Sequence, residues 1–432
     1  MTERIPCQSV GCKATILPAT AAKTGGYCMP CRQEQQRKER QAYIEKHRKT
    51  VNLYENLTDP VDILKMMHTP KHSDPLVQYV PYPLREEEVY VSLSPEDAEK
   101  MLEHALGLLK AGDEETCRDI LASLVCYRNE NIGKCLPVLM EHGIYDPEIL
   151  YKDAGPVVRD RLIERVESDD EHRNEILLVL GWIGDEQVAG KFRSWRMNRP
   201  VWAERLYVPP ESYSLYAGWE LDADGKRRNL VYGRSYAIRQ TGESAAPDSV
   251  KTSGEFLKLS GADCPWCGGK LTTLMNVRTT HPSLAHLKRF WDRLQVDTCM
   301  NCGCFGVVYM DCDSNGKTAW STYNRKPRYL GDIAPEEMND EYPRWGSNLA
   351  LSCEPRSAYY SSIWGLSQAG SQLGGHPSWI QDAEYPSCPC CGRSMLFIGQ
   401  LDLAELEEYG EGIYYMFVCP QHKLTATTYQ QS

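Results

Sequence analysis

The sequence has no run of about 18 apolar residues, the length that a membrane-spanning helix requires. It also begins without an apolar leader, because Met1-Thr2-Glu3-Arg4 runs into a cysteine-containing segment. These two absences argue against a membrane span and against a secretory signal. We therefore expect a cytoplasmic protein with no membrane partner.

The chain also lacks the positive charge of a general nucleic-acid-binding protein. Its formal net charge is −11, whereas contacts with phosphates supply most non-specific affinity for DNA or RNA. The charge is unevenly distributed: residues 1–50 carry ten Lys/Arg and four Asp/Glu, and residues 91–200 carry fourteen Lys/Arg and 22 Asp/Glu. Nucleic acid is therefore disfavoured as a partner, and residues 91–200 are where we expect a basic protein to bind.

Recognisable catalytic motifs are missing as well. There is no His-Glu-x-x-His zinc-protease motif and no glycine-rich dinucleotide fingerprint after a strand. Gly316-Lys317-Thr318 is not a phosphate loop, because Asp311 stands where that motif requires its first glycine. These absences favour a non-enzymatic protein.

Cysteine is abundant, and its spacing indicates metal sites. The 432 residues include 18 cysteines, and in a long chain without a secretory signal close pairs favour metal ligation over disulfides. Three sets of paired soft ligands stand out, and each suits one tetrahedral structural zinc ion. The candidate ligands are Cys7, Cys12, Cys28, Cys31, Cys264, Cys267, Cys299, Cys302, Cys388, Cys391, Cys419 and His422.

The first set predicts a small zinc finger, treble-clef-like or ribbon-like, within residues 1–50. About fifty residues with few apolar positions need a metal to fold. The Gln-, Glu-, Lys- and Arg-rich residues 32–49 predict a solvated helix behind the finger.

The other two sets are related to each other. Cys264-Pro265-Trp266-Cys267-Gly268 and Cys388-Pro389-Cys390-Cys391-Gly392 agree at four of five positions, and a second ligand pair follows each of them. We therefore predict two zinc ribbons of one kind, in which the glycine after the second cysteine adopts an unusual φ as the knuckle turns.

Several other cysteines bear on these assignments. Cys304, Cys312 or Cys390 could replace His422, and a site that lost His422 would have an open position for hydrolytic chemistry. The remaining four are expected to pack as small apolar residues: Cys117, Cys126, Cys135 and Cys353.

Four domains are predicted from the pattern along the chain. Residues 1–50 form the finger and charged helix, and the proline-rich residues 51–90 form an extended connector. Residues 91–200 begin with the helix-capping sequence Ser94-Pro95 and continue with amphipathic helices, including a helix-turn-helix around Gly184-Asp185. This segment resembles HEAT-type repeats, and an ordinary helical bundle is the alternative.

Residues 201–432 predict a β-rich domain. Strands are expected from residues 207–216 onward, followed by hairpins in residues 219–232 and 311–320, the second turning at Asn315-Gly316. Gly374-Gly375 predicts a turn, and His376 beside it is expected to hydrogen-bond locally. The fold class is therefore α+β and multidomain.

Three stretches resemble the YwqG-like domain family of bacteria: Gly374-Gly375-His376-Pro377, residues 395–402 with Phe397 and Gln400-Leu401, and residues 412–418. The resemblance is carried by residues 360–430 and extends back to residue 201. It implies a mixed-β fold without an established chemistry. Proteins with helical repeats before such a domain resemble immunity proteins of bacterial polymorphic toxin systems, which implies a cognate, basic toxin as the partner.

Two alternatives to an immunity protein remain open at this point. One is a zinc-ribbon protein that binds nucleic acid or acts in translation through residues 1–50. The other is a zinc-dependent hydrolase that uses the site of Cys419 and His422.

Overall fold

The computed structural model describes residues 4–240, 254–328, 349–366, 370–406 and 410–432. The fold is α+β, as the sequence predicts, with helices concentrated before residue 200 and strands after it. Within the described ranges, no helix is both long enough and apolar enough to cross a membrane. The chain divides into two compact units, Met1–Val89 and Tyr90–Ser432.

The first unit contains two short strand pairs and three helices, and a fourth helix begins at its end. Strands β1 and β2 pair antiparallel, whereas β3 and β4 pair parallel. Helix α2 has no buried residue, which confirms the predicted solvated helix. The elements are β1 (Ile5–Pro6), β2 (Thr15–Ile16), α1 (Pro18–Thr24), α2 (Met29–His47), β3 (Lys49–Val51), α3 (Pro60–His68), β4 (Val77–Tyr79) and α4 (Glu86–Ser92).

The second unit begins with helices whose caps the sequence predicts. Ser94 Oγ accepts from the backbone N–H of Asp97 at 3.1 Å, and Asp185 caps the last α-helix through the N–H of Val188 at 2.9 Å. Gly184 ends the preceding helix in the left-handed region at φ +49°. The helices are α5 (Pro95–Lys110), α6 (Glu114–Arg128), α7 (Leu136–Glu141), α8 (Pro156–Ser168), α9 (Arg173–Ile183) and α10 (Glu186–Met197).

Strands dominate the rest of the second unit. They are β5 (Trp219–Leu221), β6 (Arg227–Asn229), β7 (Tyr236–Gln240), β8 (Gly254–Asp263), β9 (Lys270–Arg278), β10 (Arg293–Thr298), β11 (Val308–Cys312), β12 (Thr318–Trp320), β13 (Leu349–Leu351), β14 (Gln372–Leu373), β15 (Leu396–Asp402), β16 (Ile413–Cys419) and β17 (Leu424–Gln430). The pairs β5–β6 and β11–β12 are the two predicted hairpins.

Two sheets position the metal-ligand candidates. The larger has the order β12-β11-β17-β16-β15-β14-β7-β13, and the smaller has the order β10-β9-β8. All neighbours in both sheets are antiparallel. Strand β16 is fully buried, because the two faces of the large sheet each pack against a separate apolar cluster.

Two predicted segments differ from the structure. Residues 51–90 are not simply an extended connector, since they contain α3 and the parallel pair of β3 with β4. Asp59 caps α3 through the N–H of Val61 at 2.8 Å, ahead of buried apolar side chains. In the predicted strand segment 207–216 the chain instead forms the 3-10 helix Pro210–Ala217, and another 3-10 helix, Val201–Arg205, precedes it. Prolines begin or precede these turns and cannot donate to a strand ladder.

Candidate metal centres

The structure brings the twelve predicted ligands together as three separate quartets. Within each quartet the ligand sulfur or nitrogen atoms all lie within 4.8 Å of one another. Four sulfur or imidazole donors at this separation can surround a single tetrahedral metal ion, and zinc is the metal that such donor sets prefer. The three clusters could therefore hold metal ions such as zinc.

The first quartet joins a hairpin loop to a helix. Cys7 and Cys12 lie in the loop between β1 and β2, while Cys28 directly precedes α2 and Cys31 lies in its first turn. The backbone N–H of Cys28 donates to the Cys7 sulfur at 3.2 Å. This hydrogen bond is the largest of the interactions that lower the pKa of Cys7 to about 7. The sulfurs of Cys12 and Cys28 are 3.8 Å apart.

The second quartet is the most enclosed, because all four cysteines are buried. Cys264 and Cys267 lie in the turn between β8 and β9, and Cys299 and Cys302 follow β10. Cys267 and Cys299 sulfurs are 3.5 Å apart, and those of Cys264 and Cys302 are 3.9 Å apart. The small sheet thus supplies both ligand pairs.

The third quartet sits beside the large sheet. Cys388 and Cys391 lie in a turn ahead of β15, Cys419 ends β16, and His422 lies in the turn before β17. The Nδ1 atom of His422 is 3.6 Å from the Cys388 sulfur and 3.5 Å from the Cys419 sulfur. His422 therefore belongs to the cluster, although 30 residues separate it from Cys391.

The two related knuckles have the same backbone geometry. Gly268 and Gly392 have φ values of +76° and +70°, and each N–H donates at 2.8 Å to the carbonyl of the first cysteine of its pair. The prediction of an unusual φ at both glycines is confirmed. A side chain at either position would be strained, which explains why the two five-residue motifs end alike.

One cysteine in each quartet has a lowered pKa. In the second quartet the sulfurs of Cys299 and then Cys302 lower the pKa of Cys264, while the same contact raises the pKa of Cys299. In the third quartet, burial by itself would raise the pKa of Cys391. Hydrogen bonds from the backbone and side chain of Arg393 act in the opposite direction and are the next largest effect, and the pKa falls to about 6. A lowered pKa favours the thiolate, the form that binds metal.

The spare cysteines near these quartets lie outside them. Cys304 is exposed and points at the carbonyl of Asn301, and Cys390 is exposed and bonds to the Tyr323 hydroxyl at 3.2 Å. Cys312 is buried in the core between the sheets, where burial raises its pKa to about 12.

Of the four cysteines predicted to pack as apolar residues, three do so. Cys117, Cys126 and Cys135 are fully buried in the helical region, and burial raises the pKa of each thiol. The prediction is wrong for Cys353, which is exposed. It lies just beyond the short strand β13, where the chain leaves the sheet.

His376 does not behave as predicted. Its backbone N–H donates to Ala358, but its buried ring lies against Trp182 and Tyr359, with ring centroids 5.3 Å and 4.8 Å away. Its Nδ1 has no hydrogen-bond partner among the described residues. Burial lowers its pKa to about 3, so the ring is neutral and joins the turn to α9.

The helical region presents mainly negative charge to solvent. Of the 22 Asp/Glu in residues 91–200, sixteen are exposed, whereas only six of the fourteen Lys/Arg are. Several arginines instead bond inward, as Arg128 does to the Leu93 carbonyl and Arg173 to the Val166 carbonyl. The outer surface is therefore more acidic than the composition alone indicates.

A comparison with curated proteins found one whole-length relative. The chain is 36% identical over 438 residues to a protein of Salmonella typhimurium (strain LT2) named "Uncharacterized protein YpfL", and the match spans 100% of both. No family model matches the chain, and no solved structure does.

Proposed function

The chain belongs to the family of the YpfL protein of Salmonella typhimurium, and we propose that it is a non-enzymatic binding protein held together by three structural zinc ions. By the resemblance noted in its sequence, its partner is a basic antibacterial toxin that it neutralises in the cytoplasm. The proposal is supported by two features that occur together in this chain: three four-ligand clusters and an acidic outer surface on the helices.

The donor sets support a structural role for the metal. Each cluster supplies four protein ligands, whereas a catalytic zinc needs a position for water or substrate. In the third quartet, His422 Nδ1 lies within 3.6 Å of two cysteine sulfurs. His422 is therefore positioned to be the fourth ligand, and a metal ion bound there would have no open position for water. A hydrolase therefore has less support than a binding protein.

The exposed carboxylates support a basic partner. A surface with sixteen exposed acidic and six exposed basic residues on one helical region attracts a positively charged protein and repels nucleic acid. Glu164, Glu167 and Glu171 are neighbours in the sequence, at the end of α8 and just after it, and all three are exposed. Glu167 pairs with Lys191 at 2.9 Å within this surface.

The test is protection from a co-encoded toxin. The toxin domain of the neighbouring upstream gene would be expressed alone and together with this protein, and growth would be measured. We expect growth to be restored, and the two proteins to elute together in gel filtration at low salt and separate at high salt, because charge pairs are screened.

Charge reversal locates the binding surface. Glu164→Lys, Glu167→Lys and Glu171→Lys together should weaken the complex by at least tenfold and abolish protection. A matched control reverses three exposed carboxylates of the β-rich region, at Asp224, Glu354 and Glu411, and should leave both unchanged. Full protection by the first variant, or failure of the unaltered protein to form a complex, would contradict the proposal.

Binding of nucleic acid through residues 1–50 is the second candidate. Helix α2 has no buried residue and carries five Lys/Arg against three Asp/Glu, so its charged surface is not used for packing. Electrophoretic mobility shifts with RNA and DNA at low salt distinguish the two. A shift that disappears with Arg37→Gln and Lys38→Gln would favour this candidate, and no shift would remove it.

A further inference from the structure

A cavity of about 340 Å³ lies beside the third quartet in the second unit. It is partly open to solvent, and three separate segments border it: the end of the β5–β6 hairpin, the 3-10 helix Pro282–Leu287 with the residues after it, and the two metal-ligand turns. It has room for about eleven waters at ~30 Å³ each, which exceeds a bare phosphate ion. Its size falls within the usual range for small-molecule sites.

Three arginines from three segments line this cavity: Arg228, Arg289 and Arg393. Among the described residues, no Asp or Glu lines it. A phosphate group has several terminal oxygens that accept donors from different directions, whereas a carboxylate offers two oxygens in one plane. Guanidinium groups arriving from three segments therefore suit a phosphate better.

Neighbouring groups hold two of the arginines in place. Arg228 donates from Nε at 2.8 Å and Nη2 at 2.6 Å to one carboxylate oxygen of Glu220. Arg393 donates to the side chain of Gln421. A guanidinium has five N–H donors, so these contacts orient the groups and leave donors for a ligand.

Arg289 supplies the charge that is not already balanced. Glu220 offsets Arg228, and a zinc ion with three thiolates and one neutral imidazole would carry one negative charge that offsets Arg393. Arg289 is exposed, its guanidinium lies 4.7 Å from the Phe290 ring centroid, and it makes no ion pair among the described residues. The cavity therefore has a net attraction for an anion.

Aromatic and apolar side chains form another part of the cavity wall. Tyr232 and His286 stack with ring centroids 4.6 Å apart and planes 15° apart, and Leu287 and Phe290 extend this wall. The His286 Nε2 is buried and has no hydrogen-bond partner among the described residues. A ligand with a polar group could supply the partner that this nitrogen lacks.

We propose that this cavity binds a small phosphomonoester with a planar ring, of the nucleoside monophosphate class. The arginines contact the phosphate, and the ring packs against the aromatic and apolar wall. This inference goes beyond the proposed function. It shares with that proposal only the zinc ion of the third quartet, since no toxin or helical surface takes part.

The test is calorimetric titration of the zinc-loaded full chain with the four nucleoside monophosphates, adenosine and inorganic phosphate. We expect at least one monophosphate to bind more tightly than inorganic phosphate, and adenosine not to bind. Arg289→Gln should weaken binding about tenfold, the effect of losing one charge-assisted hydrogen bond. Arg289 is exposed, so the variant should fold.

The matched control is Arg278→Gln, which removes an exposed arginine that does not line the cavity and should bind as the unaltered chain does. No binding of any monophosphate at millimolar concentration would overturn the proposal. Equal affinity for inorganic phosphate and the monophosphates would overturn the assigned ligand class, and binding insensitive to Arg289→Gln would place the ligand elsewhere.

Discussion

The indole N–H of Trp219 donates to the backbone carbonyl of Gly181 across 2.8 Å, both groups being buried. This bond ties strand β5 to helix α9. The helix approaches closely there because residue 181 has no side chain: a Cβ atom would lie 2.8 Å from the Tyr213 carbonyl oxygen. The contact joins the helical and β-rich parts of the second unit.

The Gly181→Ala substitution should destabilise the protein by about 1–3 kcal/mol, because the added methyl must displace backbone atoms of Pro210–Ala217. Gly190, in α10, is the control, since a Cβ there has nothing within 4 Å. Gly190→Ala should stabilise by about 0.5–1 kcal/mol through helix propensity. Denaturant unfolding monitored by circular dichroism measures both, and equal shifts would contradict the close approach.

Zinc content should distinguish a ligand from its neighbour. The purified protein should contain three zinc ions per chain, Cys302→Ser two, and Cys304→Ser three, because Cys302 belongs to the buried quartet and Cys304 is exposed outside it. Cys302→Ser should also lower the melting temperature markedly, since structural zinc contributes folding free energy. Metal analysis and thermal unfolding test this, and loss of zinc from Cys304→Ser would disprove the assignment.

The third site should tolerate a change of ligand type. His422→Cys should keep its metal, because four thiolates also form a tetrahedral zinc site. With cobalt in place of zinc, its sulfur-to-metal absorption should rise relative to the unaltered chain. Cys390→Ser should leave the spectrum unchanged, since Cys390 bonds to Tyr323. A changed spectrum in Cys390→Ser would show that Cys390, not His422, is the ligand.

Acid should weaken the native state through His376. Its pKa is lowered to about 3 by burial, whereas a histidine in the unfolded chain titrates near 6.5. Between these values the unfolded state binds a proton that the native state does not, so stability falls as pH drops below about 6.5, by up to roughly 1.4 kcal/mol per pH unit.

His376→Phe keeps an aromatic ring against Trp182 and Tyr359 and should reduce the pH dependence of unfolding. His142→Phe, at an exposed histidine, is the control and should retain the full dependence. Urea unfolding at several pH values compares the three proteins, so that any loss of zinc in acid affects them alike. Identical slopes for all three would show that His376 does not titrate in this way.

Local signals in the sequence predicted much of the fold. Ser94-Pro95, Gly184-Asp185 and Asn315-Gly316 mark a helix start, a helix-helix turn and a hairpin turn, because caps and left-handed turns depend on residues next to each other in the chain. Helix α3 was missed although Asp59-Pro60 carries the same signal as Ser94-Pro95. The high proline content of residues 51–90 favoured an extended connector over a short amphipathic helix.

The surroundings of single residues were less predictable. His376 was expected to bond locally, but it packs against Trp182, which lies far away in the sequence. The cavity lined by Arg228, Arg289 and Arg393 left no pattern in the sequence, because each arginine belongs to a different segment. The acidic character of the helices was visible in the composition, but the inward bonding of the arginines was not.

The sequence by itself determined the twelve candidate ligands and the shape of each knuckle, because two ligands with two to four residues between them must share one turn. The tertiary structure decided that His422, rather than Cys304, Cys312 or Cys390, completes the third quartet. It also decided what lies beside that quartet. Ligand pairs separated by 27 or 31 residues, and arginines in three segments, come together only when sheets and turns pack, and no local pattern encodes that packing.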